Sequence, residues 1–176
     1  MAFGVSLWFD IESENRVRGI WRGLHEQGIN STLHAGPYRP HITLGIYGTL
    51  DVDAFVPALG DRLMGFGPLR FILPSAGLFN EPLAGFLNVT VTDQLLRIHY
   101  AAHQAMAEYG ADPVPYYLPG RWNPHCTLAP DLVQEKLPDF SCYAATLQLP
   151  IEGTITRIGV IDTPAEIELA EIRLAP

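Results

Sequence analysis

Phe3, Val5, Leu7 and Phe9 alternate with Gly4, Ser6, Trp8 and Asp10, a period of two that predicts an opening strand. Its second face is unusual, since Ser6 and Trp8 are no match for the apolar set. Val17, Ile20, Trp21 and Leu24 fall at helical spacing, and Gly28 is a C-terminal stop. A strand follows over about residues 39–47. Phe55, Val56, Leu59 and Leu63 predict a second helix, with Pro57 confining its start to that vicinity. Residues 69–73 and 85–91 read as strands flanking a turn-rich Pro74–Pro82 stretch. Thr92 or Asp93 caps a helix through Leu95, Ile98, Ala102, Met106 and Tyr109, ended by Gly110. A Pro-rich loop, 112–120, leads to a further strand, and two last strands, 154–161 and 167–174, bracket a turn near Asp162–Glu166. The order β-α-β-α-β-β-α-β-β-β, with room for short extra pieces, predicts an α+β protein with helices on the outer faces of two sheets.

Two of these strands carry nearly the same residues. Pro40-His41-Ile42-Thr43-Leu44 is echoed by Pro124-His125-Cys126-Thr127-Leu128. Side chains alternate along a strand, so each copy presents an imidazole and a hydroxyl on one face and two apolar residues on the other. The histidines lie 84 positions apart in a chain of 176 residues. That near-half spacing predicts two similar lobes within one bilobal domain over residues 1–176, each lobe supplying one motif strand to a central groove.

Composition narrows what the groove can hold. With 48% hydrophobic and 17% charged residues, the chain has enough apolar material for a sizeable core. A net charge of −8 argues against long nucleic acid, which is held through neutralised phosphates, but permits a small ligand with few phosphates. No apolar run approaches the roughly 20 residues that span a bilayer. Two cysteines without metal or redox spacing, and no signal peptide, predict a reduced cytoplasmic protein; a monomer is expected.

A phosphodiester between the two strands would meet one imidazole on the attacking side and one on the leaving side. Hydrolysis needs a base to take a proton from water and an acid to protonate the departing oxygen. Histidines titrating near neutrality supply both, each worth about 10²–10⁴-fold. Thr43 and Thr127 can donate to the non-bridging oxygens. A 2′,3′-cyclic phosphate suits this arrangement, because its strained ring opens without a metal. The sequence carries no HExxH, no Walker loop and no carboxylate cluster, so no metal or cofactor is expected.

The repeated His-x-Thr at half-chain spacing resembles the two-histidine phosphoesterase superfamily, in its cyclic phosphodiesterase and bacterial RNA-ligase-like branches. The opening Val-Ser-Leu-Trp, the Tyr-Arg-Pro-His-Ile-Thr-Leu segment and the closing Ile-Gly-Val-Ile-Asp and Glu-Ile-Arg-Leu strands extend the likeness over about residues 3–174. The resemblance implies a bilobal fold with pseudo-two-fold symmetry, His41 and His125 as acid and base, and Thr43 and Thr127 as phosphate ligands. Some relatives carry an aromatic just after the second motif. This chain has Ala129-Pro130 there, so that role is vacant or passes to Tyr47.

Other residues have a plain reading beside the functional one. Trp8 faces the groove or the core. Arg39 shares parity with His41, and Arg121 with His125; either sits at the groove mouth or on the open surface. Tyr116 and Tyr117 border the pocket or pack a turn. Trp122 and Cys126 read as core, and His25 and His34 as surface. His99 and His103 have the i, i+4 spacing of a zinc pair, but no third ligand is evident and their helix face looks half exposed. The expected activity is hydrolysis of 2′,3′-cyclic phosphates of nucleotides or short RNA ends. The alternatives are action on 2′-5′ linkages, or a nucleotide-binding module without turnover.

Overall fold

The first alternation becomes β1 (Phe3–Phe9) in a computed structural model that describes residues 2–163, 165 and 167–174. Val5, Leu7 and Phe9 are wholly buried on one face. Asp10 ends the strand and caps α1 (Ile11–Glu26), its carboxylate accepting the Ser13 N–H at 2.9 Å. Val17, Ile20, Trp21 and Leu24 form the buried stripe of α1, and Gly28, at φ +62°, turns the chain away beyond its end. A short α2 (Thr32–Ala35) leads into β2 (His41–Leu50), the first motif strand.

α3 (Val52–Arg62) begins five residues before Pro57, contrary to the expected start. Asp51 caps it by accepting the Ala54 N–H at 3.1 Å. Pro57 is tolerated inside because it and Asp53, whose carbonyl it leaves unbonded, are both exposed to water. β3 (Leu69–Leu73), β4 (Ala76–Asn80) and β5 (Leu83–Asn88) follow, then α4 (Asp93–Tyr109), capped by Thr92 and ended at Gly110. β6 (Gly110–Pro113) and a 3-10 turn (Pro115–Tyr117) organise the Pro-rich loop ahead of β7 (His125–Ala129), the second motif strand. α5 (Leu137–Ala144), β8 (Ile151–Asp162) and β9 (Ile167–Arg173) complete the order. Of the expected turn near Asp162–Glu166, Pro164 and Glu166 lie outside the described residues.

The strands form two antiparallel sheets. The larger runs β3-β8-β1-β2-β6, with β3 along the first part of β8 and β9 along the second; the smaller runs β4-β5-β7. α4 packs on β2, while α1 touches both β8 and β7 and so ties the sheets together. Among the described residues no helix is long and apolar enough to cross a membrane.

The two motif strands share an irregularity that alternation does not reveal. Beside β1, Ser6 pairs with Thr43 but Val5 pairs with Gly45, so Leu44 is an extra, bulged residue. Beside β5, Phe86 pairs with Thr127 but Gly85 pairs with Ala129, so Leu128 is the bulge. The leucine of each Pro-His-x-Thr-Leu thus breaks its ladder at the same point, and reverses the parity of every residue beyond it.

Candidate active site

Each motif histidine is oriented by the two residues before it. A residue preceding proline is held extended, and proline fixes its own φ. The carbonyls of Arg39 and Asn123 are thereby aimed back at the imidazoles. His41 Nδ1 lies 2.6 Å from the Arg39 carbonyl, and His125 Nδ1 lies 2.8 Å from that of Asn123. A carbonyl only accepts, so each Nδ1 carries a proton and each Nε2 is left for chemistry. Ile42, Leu44, Cys126 and Leu128 are buried behind them, while His41, Thr43, His125 and Thr127 keep partial exposure.

The electrostatics favour neutral rings. Burial lowers the His41 pKa below its ordinary 6.5, against the opposing pull of the Arg39 carbonyl. Burial also lowers that of His125; the Asn123 carbonyl opposes this and the charge of His41 adds to it. That last influence on His125 comes from the other motif, 84 positions away in sequence.

Two indoles hold the threonines from behind. Trp122 Nε1 donates to the Thr43 carbonyl at 3.0 Å, and Trp21 Nε1, on α1, donates to the Thr127 carbonyl at 3.0 Å. Trp122 is half-buried and stacks flat on His99, ring centres 3.9 Å apart. It packs against the core, as its parity suggested, and braces Thr43 as well.

A cavity of about 450 Å³ opens beside the second motif. His125 and Thr127 form its polar wall, with Arg121, Glu81 and Asp131; Phe79, Phe86 and Tyr117 supply aromatic surface. The first motif borders it only through its neighbours, Ile46 in the wall and Tyr117 beside the Thr43 side chain. Tyr117 and Arg121 line this cavity, and Tyr116 joins them at the rim, 67% exposed. Among the described residues Arg121 makes no ion pair. The sequence reading missed Phe79 and Phe86. Their rings stack 4.0 Å apart, and Phe79 meets His125 edge-on at 4.8 Å. The signal was available in β5, where Phe86 has the parity that pairs it with Thr127, but Phe79 lies in a stretch read as turns.

Three candidates prove to be support residues. Tyr47 lies beyond the Leu44 bulge, which turns it into the core; it is 3% exposed and its hydroxyl meets His103 Nδ1 at 3.3 Å. Ile46 takes the groove-facing place instead. Trp8 does share a face with His41, its partner across β1 and β2, but it is only 2% exposed. The guanidiniums of Arg39 and Arg157 lie 4.8 and 5.8 Å from its ring and cover it, leaving no face for a base. Arg39 is itself committed: its Nε lies 2.9 Å from the buried Glu14 carboxylate, and Nη1 lies 3.5 Å from Glu168. Its carbonyl, not its guanidinium, serves the site.

The face of His99 and His103 is buried, not half exposed, and both Nε2 atoms bond backbone carbonyls. Among the described residues no three His, Cys, Asp or Glu side chains converge to hold a metal ion. His25 and His34 are surface residues, stacked on each other at 4.6 Å. Cys126 is a core residue whose thiol is pushed up to about 12 by burial, which removes it as a nucleophile.

Comparison with known proteins matches this geometry to a family. No curated protein matches the chain in sequence. Among solved structures, Escherichia coli LigT in its apo form superposes with a TM-score of 0.68 at 15% identity, over 99% of this chain and 98% of LigT. LigT complexed with 3′-AMP gives 0.62 at 14%, over 99% and 98%. Usb1 of Kluyveromyces marxianus with uridine monophosphate gives 0.53 at 13%, over 99% and 97%. The two-sheet α+β fold is thus that of LigT. The family model of the 2′-5′ RNA ligase superfamily matches residues 39–165, a span that takes in both histidine motifs, and the chain belongs to that superfamily of enzymes acting on phosphodiesters.

Proposed function

We propose that this protein hydrolyses 2′,3′-cyclic phosphates, or closely related cyclic phosphodiesters, on nucleotides or short RNA ends. His41 and His125 act as the acid–base pair and no metal takes part. The observation that carries the reading is the matched tethering of the two rings, each Nδ1 bonded to the carbonyl two residues back. One Nε2, unprotonated, takes a proton from water as its oxygen attacks phosphorus. The other, protonated, gives its proton to the ribose oxygen as that P–O bond breaks. Thr43 and Thr127 donate to the non-bridging oxygens, whose charge must be held through the transition state.

The cavity beside His125 supports a nucleoside as the rest of the substrate. Phe79, Phe86 and Tyr117 offer aromatic surface to a base, and Arg121 offers charge to a phosphate. Glu81 and Asp131 in the same wall disfavour a ligand rich in phosphates. The solved complexes of LigT with phosphate and with 3′-AMP, and of Usb1 with uridine monophosphate, support a nucleotide occupant of this fold. With a net charge of −8 the partner is small, and the chain works as one bilobal unit, a monomer in the cytoplasm. The family description favours one other reading, cleavage or joining of 2′-5′ linkages at the same two histidines.

The test is a panel of 2′,3′-cyclic nucleotides, an ADP-ribose cyclic phosphate and 2′-5′ dinucleotides, assayed in excess EDTA with the products identified. Turnover of the cyclic phosphates to a single monoester is expected. Turnover confined to the 2′-5′ dinucleotides would favour the second reading. Loss of turnover in EDTA, restored by a divalent ion, would refute the metal-free step.

A further inference from the structure

His99 and His103 stand one turn apart on α4, only 3% and 5% exposed, with rings 4.5 Å apart. Burying two imidazoles is costly unless their polar atoms find partners, and the partners here all lead to one place. His103 Nε2 donates to the carbonyl of Leu44, the bulged residue of the first motif, at 2.9 Å. Its Nδ1 is then the acceptor, and takes the Tyr47 hydroxyl at 3.3 Å. His99 Nε2 donates to the Tyr117 carbonyl at 2.8 Å. Its ring lies parallel to the Trp122 indole, 3.9 Å away and tilted by 4°, and that indole donates to the Thr43 carbonyl.

Two consecutive carbonyls of the bulge, Thr43 and Leu44, therefore end on α4, one through Trp122 and one directly. A bulged residue leaves the regular ladder, and its backbone groups need donors from elsewhere. The fit is close. A Cβ on Gly45 would come within 2.7 Å of Met106 Cε and 3.2 Å of His103 Cε1. Burial, and next the charge of His103, hold the His99 pKa at about 4, so the His99 ring is neutral near neutral pH.

We propose that the His99–His103 pair is a positioning device for Thr43, setting the rotation of the bulge and so the direction in which the Thr43 hydroxyl meets phosphate. The i, i+4 histidine spacing then serves a backbone clamp in place of a metal. The inference rests on the reading of Thr43 as a phosphate ligand, made under the proposed function.

The test compares His103→Leu, which removes the donor, with His103→Gln, which keeps one. Each is measured for kcat/KM on 2′,3′-cyclic AMP in the wild-type and Thr43→Val backgrounds. Ångström-scale misplacement costs up to about 10²-fold. A loss of that order is expected for His103→Leu, with most of it recovered by His103→Gln and no further loss in the Thr43→Val background. Equal proportional losses in both backgrounds would mean plain core packing and overturn the proposal, as would wild-type kinetics in His103→Leu.

Should His103→Leu fail to fold, His99→Ala gives the second comparison. It removes the ring stacked on Trp122, whose indole holds the Thr43 carbonyl, and the same dependence on Thr43 is expected; equal proportional losses in both backgrounds would again overturn the proposal. A second measurement needs no turnover. In ¹⁵N NMR, His99→Ala is expected to move the Trp122 indole N–H resonance toward its solvent-exposed position. It should also weaken the shift of the Thr43 amide on titration with inorganic phosphate. Both signals unchanged would overturn the clamp. Inactivity of the wild type on every cyclic nucleotide would instead refute the hydrolase reading, and the NMR result would stand apart from it.

Discussion

Trp21→Phe removes one atom's worth of chemistry from behind the second motif strand. Trp21 is 3% exposed on α1, and its Nε1 donates to the Thr127 carbonyl at 3.0 Å. Phenylalanine keeps an aromatic ring in the same pocket but cannot donate. The Thr127 carbonyl then loses its indole donor in a part-buried setting. Leaving a buried acceptor unsatisfied costs about 1–3 kcal/mol. For a chain of this size 1 kcal/mol moves Tm by about 2–4 °C, so a fall of about 2–12 °C is expected. Activity should fall as well. Thr127 turns its hydroxyl to the groove from the same residue whose carbonyl is held, so a slack backbone misdirects the donor, at a cost of up to about 10²-fold in kcat/KM. The assay pairs thermal melts with steady-state kinetics on 2′,3′-cyclic AMP at a temperature where both proteins stay folded. An unchanged Tm would refute the claim that the indole satisfies this carbonyl. A lower Tm with wild-type kcat/KM would refute its link to the hydroxyl.

The pH profile of kcat/KM should be bell-shaped with its optimum below about pH 6.5, the ordinary histidine value, because burial lowers both rings and the active form holds one proton between them. The rate climbs as the base loses its proton and falls as the acid loses its own; an optimum above pH 7, or a level profile from about pH 5 to pH 9, would contradict this. Gly159→Ala would put a Cβ 1.8 Å from Trp8 Cζ2, so urea melts should show a loss of about 1–3 kcal/mol from overpacking against the cross-strand partner of His41. Asp10→Ala should cost about 1 kcal/mol at neutral pH through the lost α1 cap. Burial raises the Asp10 pKa, but the N–H groups of Ser13 and Thr154 outweigh it and hold the pKa below its ordinary value. That stabilisation is present above the unfolded-state pKa and fades as pH falls through the folded one, so the gap between wild type and Asp10→Ala should close in acid, and a gap that widens there would contradict the assignment.

The motif strands were legible because a period of two puts His and Thr together without any tertiary knowledge. The bulges were not, because a bulge is a property of the pairing of two strands. That is why Tyr47 was misplaced: it shares parity with His41 only if Leu44 is in register. Trp8 shows a different limit. Its face was readable, but its cover of Arg39 and Arg157 comes from residues 31 and 149 positions away. β4 was hidden because Ala76-Gly77-Leu78-Phe79-Asn80 has little alternation and lies between two prolines; pairing with β5 makes it a strand. α5 buries one hydrophobic residue, Phe140, too few for a periodic signal. The histidines of α4 were noticed for their spacing, but the carbonyls that explain them lie in other elements.

The central claim is that His41 and His125 act on one phosphate as a single catalytic unit. Its most direct test is the hydrolysis of 2′,3′-cyclic AMP in excess EDTA by the wild type, His41→Ala, His125→Ala and the double variant. Each proton transfer lies on the same path, so each single substitution should cost at least about 10²-fold in kcat, and the double should be little worse than either alone. Near wild-type turnover in either single variant, or losses that multiply in the double, would contradict the account.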